Sequence, residues 1–402
     1  MVYMHNCIAS NSGLPYKIRF DTALLMLILQ KNSKLIFRNQ GSQNTFDSIL
    51  IVITRMIGDV LITTPLIHQA RVLWPNARID VLGFQGTLNI LYGNPDINNL
   101  IEVVPGSGLR QSWSFFTKLW RRYDLALIAE YSDRAHLYGW AAASKRVGLV
   151  PSARKAWWKH LITEGVTPLS DPPLHILLEK LNLLSPWTSL PAVISLQPPP
   201  GVIALPANIV ALSQHDYVVL QVPSLVRYKQ WSAQNYASVA KQLAKQGYQI
   251  FLTGGSSAGD RATAAEVHRL ANASSVFDLS GQLDLQQMVT LLTDAKLYIG
   301  PDTSITHLAA ACGTPTIALY GPIDPRLWGP WPACWPSTQP YAAHAERQKC
   351  HNVILLQGSP ACVPCNKAGC DNHRESRSEC LETIEPGRVL YEALAILERA
   401  EL

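Results

Sequence analysis

Apolar residues fall along this chain in two alternating periods. Ser48-Ile49-Leu50-Ile51-Val52-Ile53 is a short, nearly unbroken apolar run, the pattern of a strand buried on both faces of a parallel sheet. Apolar residues at helical spacing follow from Val60 to Trp74, where Pro75 predicts the stop. Ala77 to Leu82 is the next strand and closes a βαβ unit; Leu100–Val104, Leu125–Ala129 and Arg146–Leu149 extend the same sheet. Leu196-Gln197-Pro198-Pro199-Pro200-Gly201 suits neither a helix nor a central strand, so it reads as a stiff segment between domains. The alternation then restarts. Strands are predicted at Tyr217–Val222, Gln249–Thr253, Val276–Leu279, Leu297–Ile299 and Thr316–Leu319. Helices are predicted between them at Ala233–Gln246, Ala262–Ala271, Leu285–Asp294 and Ser304–Cys312. Strands alternating with helices in this way make an α/β protein with parallel sheets covered on both faces.

Length fits this division, because 402 residues exceed one ordinary core. The expected organisation is an extension over 1–47, a first domain over 48–196 and a second over 202–385. The second carries a cysteine-rich insertion at 350–380, and a final helix occupies 386–402. Hydrophobic content of 48% with 16% charged residues excludes a disordered chain. The net charge of +5 is mild, and no run of five like charges exists, which argues against nucleic acid as a partner. Short basic and aromatic groups do occur, at Arg121-Arg122 and at Arg154-Lys155 beside Trp157-Trp158-Lys159. They suit either a solvated helix face or contact with anionic lipid. No stretch reaches the roughly 18 to 20 apolar residues that span a bilayer. Ala23–Leu29 is too short and lacks a small-residue cleavage site, so the expected compartment is the cytoplasm.

Ligands of such sheets bind beyond the carboxyl ends of the strands, which gives weight to polar residues just after a strand. Gly58-Asp59 follows the first strand; Asp59 reads either as a helix-capping carboxylate or as a general base. After Val222 come Ser224 and Lys229, the lysine able to neutralise a diphosphate or simply to sit exposed beside Trp231. Gly254-Gly255 permits close approach of a ligand, and Asp260 can hold ribose hydroxyls. Asp302-Thr303-Ser304 opens a helix whose first amides suit a phosphate, with His307 one turn further on; a capping Asp302 and a packed histidine are the alternatives.

Four pieces, in order and spaced from about residue 48 to 330, carry a family resemblance: IGDVLITTPLIHQARVLWPNARIDVL from Ile57, YKQW from Tyr228, LTGG from Leu252, and GPDTSITHLAAACGTPTIALYGPIDPRLWGP from Gly300. Together they resemble glycosyltransferase family 9, the ADP-heptose:lipopolysaccharide heptosyltransferases and their relatives. The resemblance implies a GT-B fold, two Rossmann-like domains with parallel sheets facing across a cleft. It implies an inverting transferase that needs no metal for its chemistry. The donor would be a nucleotide sugar, ADP-heptose first among them, and the acceptor the lipopolysaccharide core or a related surface glycan or glycolipid. Peripheral contact with the cytoplasmic face of the inner membrane would follow.

By the same resemblance Asp59 matches the catalytic base, Lys229 the phosphate-contacting lysine and Asp260 the acid near the nucleoside. Asp302 matches the acid near the donor sugar, Thr303 and Ser304 the phosphate turn, and His307 the histidine beyond it. Ser224, Gly254 and Gly255 complete the expected donor site. Ser304 stands where the family commonly has glycine, so close backbone approach to the phosphate is not implied there. Another nucleotide sugar, a nucleotide-sugar epimerase and a non-catalytic sugar-nucleotide binder are the rival readings.

Six of the eight cysteines lie between Cys334 and Cys380, and four of them, Cys362, Cys365, Cys370 and Cys380, fall within nineteen residues. One CxxC pair plus two further thiols can wrap a tetrahedral structural metal, zinc by default and iron as the alternative. Reduced thiols or redox-dependent disulfides are the other reading. Cys350, His351 and His373 are weaker ligands by spacing.

Overall fold

Ser48–Ile53 forms β1, and five of its six residues are buried. It pairs in parallel with β2 (Arg78–Phe84) on one side and β4 (Tyr123–Ile128) on the other. With β3 (Asn99–Val103), β5 (Ala143–Leu149) and β6 (Glu164–Val166) they make a parallel sheet in the order β3-β2-β1-β4-β5-β6. Each fully buried aliphatic side chain of β1 contributes about 1.5–3 kcal/mol by leaving water, which fixes this strand at the sheet centre. The structure is a computed structural model and describes residues 45–104, 115–150, 157–166, 174–201 and 203–400. The extension up to residue 44 with its Ala23–Leu29 stretch, and Arg154-Lys155, lie outside the described residues.

The single helix predicted from Val60 to Trp74 is instead two, α1 (Ile57–Ile62) and α2 (Thr64–Leu73). Pro65 stands in the first turn of α2 and cannot donate back to the turn before it. The hydroxyls of Thr63 and Thr64 reach back to the carbonyls of Asp59 and Leu61, both at 2.7 Å, and satisfy oxygens that the break exposes. The helices α3 (Asp133–Ala142), α4 (Trp157–Ile162) and α5 (Ile176–Leu181) complete this part.

The second half opens with the short β7 (Val193–Ile194) and α6 (Ala207–Leu212). It then alternates β8 (Tyr217–Gln221), α7 (Ala233–Lys245), β9 (Gln249–Thr253), α8 (Ala258–Ala271), β10 (Val276–Asp278) and α9 (Leu285–Thr293). The alternation runs on through β11 (Leu297–Pro301), α10 (Ser304–Ala311), β12 (Thr316–Tyr320) and α11 (Pro325–Trp328). β13 (Trp335–Pro336) pairs antiparallel with β7. β14 (Arg347–Cys350) and β15 (Val353–Gln357) follow, then α12 (Glu379–Glu382) and α13 (Pro386–Ala400). The sheet order is β10-β9-β8-β11-β12-β15-β14, parallel except for β14. Its first six strands repeat the order of the first sheet.

Val353–Gln357 is fully buried beside β12, so residues up to 357 belong to this sheet and the irregular cysteine-bearing stretch begins after it. The buried face of α13 lies in the same core: Val389, Ala393 and Leu397, one turn apart, join Leu220, Ile299 and Leu319. The final helix thus buries its apolar stripe in the second unit. By contacts the described chain divides into two units. Residues 45–89 and 94–191 form one; Ile90–Gly93 and the chain from Ala192 onward form the other.

One helix of the first unit breaks the rule that charged residues stay outside. All six residues of α5 are buried, including Glu179 at 3% exposure and Lys180 at 2%. Tyr131 donates its hydroxyl to Glu179 Oε2 at 2.5 Å, while Oε1 has no hydrogen-bond partner. Burial pushes the Glu179 carboxyl from its ordinary 4.5 up to about 7, against the downward pull of the Tyr131 hydrogen bond. The unfolded chain therefore releases this proton near 4.5 and the folded one near 7, so Glu179 favours folding below that window and loses the contribution as pH rises through it. Glu179→Gln keeps an acceptor for Tyr131 and has nothing to ionise. Its melting temperature should fall less than the parent's between about pH 4.5 and 7.5; equal falls would remove Glu179 as the cause.

Candidate active site

In the first unit the strand order reverses between β1 and β4, so the residues after these two strands share one crevice. Thr54 follows β1, and Glu130 stands two residues after β4. The Thr54 amide and hydroxyl both donate to Glu130 Oε1 at 2.5 Å. Glu130 is 4% exposed, and its second oxygen, Oε2, is buried with no hydrogen-bond partner. Such an oxygen costs about 1–3 kcal/mol unless something donates to it, so evolution has no structural reason to keep it bare.

α1 begins at Ile57, with Met56 in the capping position and no side chain closing the cap. Asp59 is thus the third residue of the helix, not its cap. The positive end of the helix favours a carboxylate there. Its side chain is 15% exposed, with Arg55 Nε 3.8 Å away. Lys180 reaches the same turn from α5: Nζ donates to the Asp59 carbonyl at 2.9 Å and to Thr63 Oγ1 at 2.7 Å. Burial pulls the Lys180 ammonium from 10.5 down to about 8; Asp59 and Glu130 oppose that fall and Arg55 adds to it. Sequence reasoning missed Glu130 and Lys180. Glu130 follows the apolar run Leu125–Ala129 and was detectable by the same rule that marked Asp59. Lys180 sits in ILLEKLNLL, where the pattern gives no sign that a charge turns inward.

The second unit repeats the reversal between β8 and β11. Lys229 ends a single 3₁₀ turn, Arg227–Lys229, and its Nζ stands 2.6 Å from Oδ2 of Asp302, the residue after β11. The pair is a close contact of opposite charges, and Asp302 stands one position before the residue that caps α10. Tyr320 Oη lies 3.4 Å from its other oxygen and donates to the Trp328 carbonyl at 2.8 Å. Thr303 is the capping residue and offers no side-chain cap, so no side chain closes the amides that open α10 at Ser304. His307 is buried one turn on, at 4% exposure. Thr306 ties the turn down: Oγ1 is 2.8 Å from Tyr298 Oη and donates to the Pro301 carbonyl. A Cβ on Gly300 would lie 2.2 Å from Tyr298 Oη, which explains the glycine.

Ser224 is buried and its carbonyl accepts from Gln230 Nε2 at 2.8 Å. Gly254 lies against the same loop, because a Cβ there would meet Pro223 Cγ at 2.7 Å. Asp260 is in the first turn of α8, which starts four residues earlier than predicted because Ser257 caps it. Its Oδ2 accepts from the Gly255 amide at 3.0 Å, so one oxygen closes the Gly254-Gly255 turn. The structure joins Lys229 to Asp302, and Gly255 to Asp260.

Cys362, Cys365, Cys370 and Cys380 line one pocket of about 50 Å³. Burial, reinforced by the other three thiols, pushes Cys380 up to about 12. The described cysteines are free thiols, and among the described residues no three ligand-type side chains are placed to hold a metal as they stand. Cys350 is in β14 and donates to the Pro340 carbonyl. The cysteine segment grips the Lys229 turn: the Arg227 amide donates to the Arg374 carbonyl at 3.1 Å, and Ser378 Oγ donates to the Tyr228 carbonyl at 2.7 Å.

The profile of glycosyltransferase family 9 (heptosyltransferase) matches residues 113–353. The chain is 30% identical over 295 residues to lipopolysaccharide heptosyltransferase 3 of Escherichia coli, covering 69% of this chain and 84% of that protein. It is 27% identical over 304 residues to lipopolysaccharide heptosyltransferase 2 of Salmonella typhimurium, covering 70% of this chain and 85% of the relative. The solved ADP-heptose lps heptosyltransferase II of E. coli shares the fold, with a TM-score of 0.66 at 22% identity over 88% of this chain and 100% of that one. Two Rossmann-like units in the GT-B class, with the charged residues of both at their strand reversals, agree with that match: the chain belongs to glycosyltransferase family 9, the heptosyltransferases.

Proposed function

We propose that this glycosyltransferase moves heptose from ADP-heptose onto the lipopolysaccharide core with inversion at the anomeric carbon. The observation that carries the reading is the Lys229–Asp302 pair beside the uncapped first turn of α10, a ready place for a diphosphate. The named activities of the matched relatives supply the sugar and the acceptor class. Epimerase and silent-binder readings have no comparable support.

In this mechanism the Asp59 carboxylate takes the proton of an acceptor hydroxyl as its oxygen bonds to the anomeric carbon. The bond from that carbon to the diphosphate breaks, and its electron pair leaves with the nucleotide. Lys229, the opening amides of α10 and His307 meet the charge that develops there. Lys229 turns to the phosphate, leaving Asp302 to hold sugar hydroxyls. Ser224 and the Gly254-Gly255 turn receive the nucleotide, with the free side of Asp260 toward the ribose. The protein's own charges perform each of these steps.

Four thiols around one pocket are the soft donor set that zinc or iron takes, so Cys362, Cys365, Cys370 and Cys380 would hold a structural metal by closing inward. Its contribution would be to brace the segment that grips the Lys229 turn. A cytoplasmic enzyme working on a glycolipid must also meet the membrane face. No helix among the described residues is long and apolar enough to cross a membrane. Trp120, Trp157 and Leu161 are exposed on the first unit, the guanidinium of Arg121 lying 5.5 Å over the Trp120 ring. That combination suits anionic lipid headgroups.

Asp59→Asn should lower kcat by about 10²–10⁴-fold with folding intact, and unchanged turnover would end the base assignment. Lys229→Met should weaken ADP binding by about tenfold or more in a calorimetric titration. Purified protein should contain close to one zinc or iron by elemental analysis, lost in Cys370→Ser; a metal-free parent would dispose of the cluster. Flotation with phosphatidylglycerol vesicles should retain the parent and release a Trp120→Ala, Trp157→Ala double variant, whereas equal flotation would remove this face.

A further inference from the structure

We propose that Lys180 is a positioning residue for Asp59, its buried ammonium fixing the first turn of α1 from which the Asp59 carboxylate projects. This deepens the reading of Asp59 as the base and rests on it. The argument begins with cost. A fully buried ammonium is among the least favourable groups a small domain can hold, and Lys180 is 2% exposed in a helix with no solvent face. A purely structural site would be filled more cheaply by leucine or methionine.

The bonds that Lys180 makes are all directed at one turn. Nζ donates to the Asp59 carbonyl and to Thr63 Oγ1, and Thr63 Oγ1 donates in turn to the same Asp59 carbonyl at 2.7 Å. The Asp59 carbonyl thus receives two side-chain donors, which locks the backbone from which the carboxylate projects. The charges that face Lys180 are Asp59 on α1, Glu130 beyond β4 and Arg55 in the turn between β1 and α1. On α2, which packs against α5, His68 and Arg71 are engaged with Asp96 instead. On α5 itself Glu179 is held by Tyr131.

The two carboxylates are met by two cations, Arg55 at 3.8 Å from the Asp59 carboxylate and Lys180 on the main chain of the same turn. Remove the ammonium and the Asp59 carbonyl loses a donor, so the turn that aims the carboxylate is held less firmly. Glu130, anchored by Thr54 through Oε1, stands ready as the second counter-charge.

The test is the pH dependence of kcat/KM for transfer from ADP-heptose to truncated lipopolysaccharide, read for the parent, Lys180→Met and Thr63→Val. The parent should lose activity on the basic side near pH 8, where Lys180 gives up its proton. In Lys180→Met that basic limb should vanish, with activity near neutrality down about tenfold. Thr63→Val removes one acceptor of the ammonium, so its basic limb should move to lower pH. Lys180→Met should melt below the parent, since the carboxylates that face the ammonium lose it. Should that variant not fold, Thr63→Val decides alone. Limbs in both variants that coincide with the parent's overturn the proposal. If Asp59→Asn abolishes turnover while these limbs do not move, only the role of Lys180 fails; if Asp59→Asn is fully active, the base and its positioning residue fall together.

Discussion

Both units depend on one constraint of parallel sheets. A crossover that turns one way from a central strand, and another that turns the opposite way from its neighbour, leave the two strand ends uncovered by helix. β1 and β4 make that arrangement in the first unit, β8 and β11 in the second. Polar residues after these strands cannot be packed away as their neighbours are. Glu130 and Asp302, each lodged at such a reversal, are both almost entirely buried and yet keep an oxygen without a well-formed hydrogen bond. The fold produces the crevice; the sequence then stocks it with charge.

That charge is held in two different ways. In the second unit Lys229 keeps 23% of its side chain exposed and meets the buried Asp302 carboxylate at the edge of water. In the proposed mechanism it exchanges that protein anion for a ligand's. In the first unit Lys180 is wholly enclosed and its bonds go to backbone and hydroxyl. An enclosed cation of that sort keeps its place and shapes its surroundings. The contrast follows from the supporting elements: a half-buried one-turn 3₁₀ segment carries Lys229, whereas a buried helix carries Lys180.

Much of this could be read from residues alone, because strand interiors here are apolar runs without breaks. The central strands, the polar turns after them and the motif from Gly300 stand where periodicity and motif order put them. Boundaries suffered where a side chain acts against the period. Pro65 divides a helix whose apolar spacing runs on unbroken, and Ser257 starts α8 four residues early by capping it. β15 was hidden by the cysteines on either side, which drew residues 350–357 into an irregular insertion although Val353–Gln357 is apolar enough to be a strand. Lys180 was out of reach for a physical reason. Its inward course depends on a carbonyl in another helix, 121 residues away in sequence, and no local pattern encodes that partner.

The stretch from residue 360 to 380 clasps the Lys229 turn by two main-chain carbonyls, one given and one taken. A designer who wished to transplant this turn into a different scaffold could not lift Arg227–Lys229 by itself. The thiol-lined segment behind it would have to travel with it.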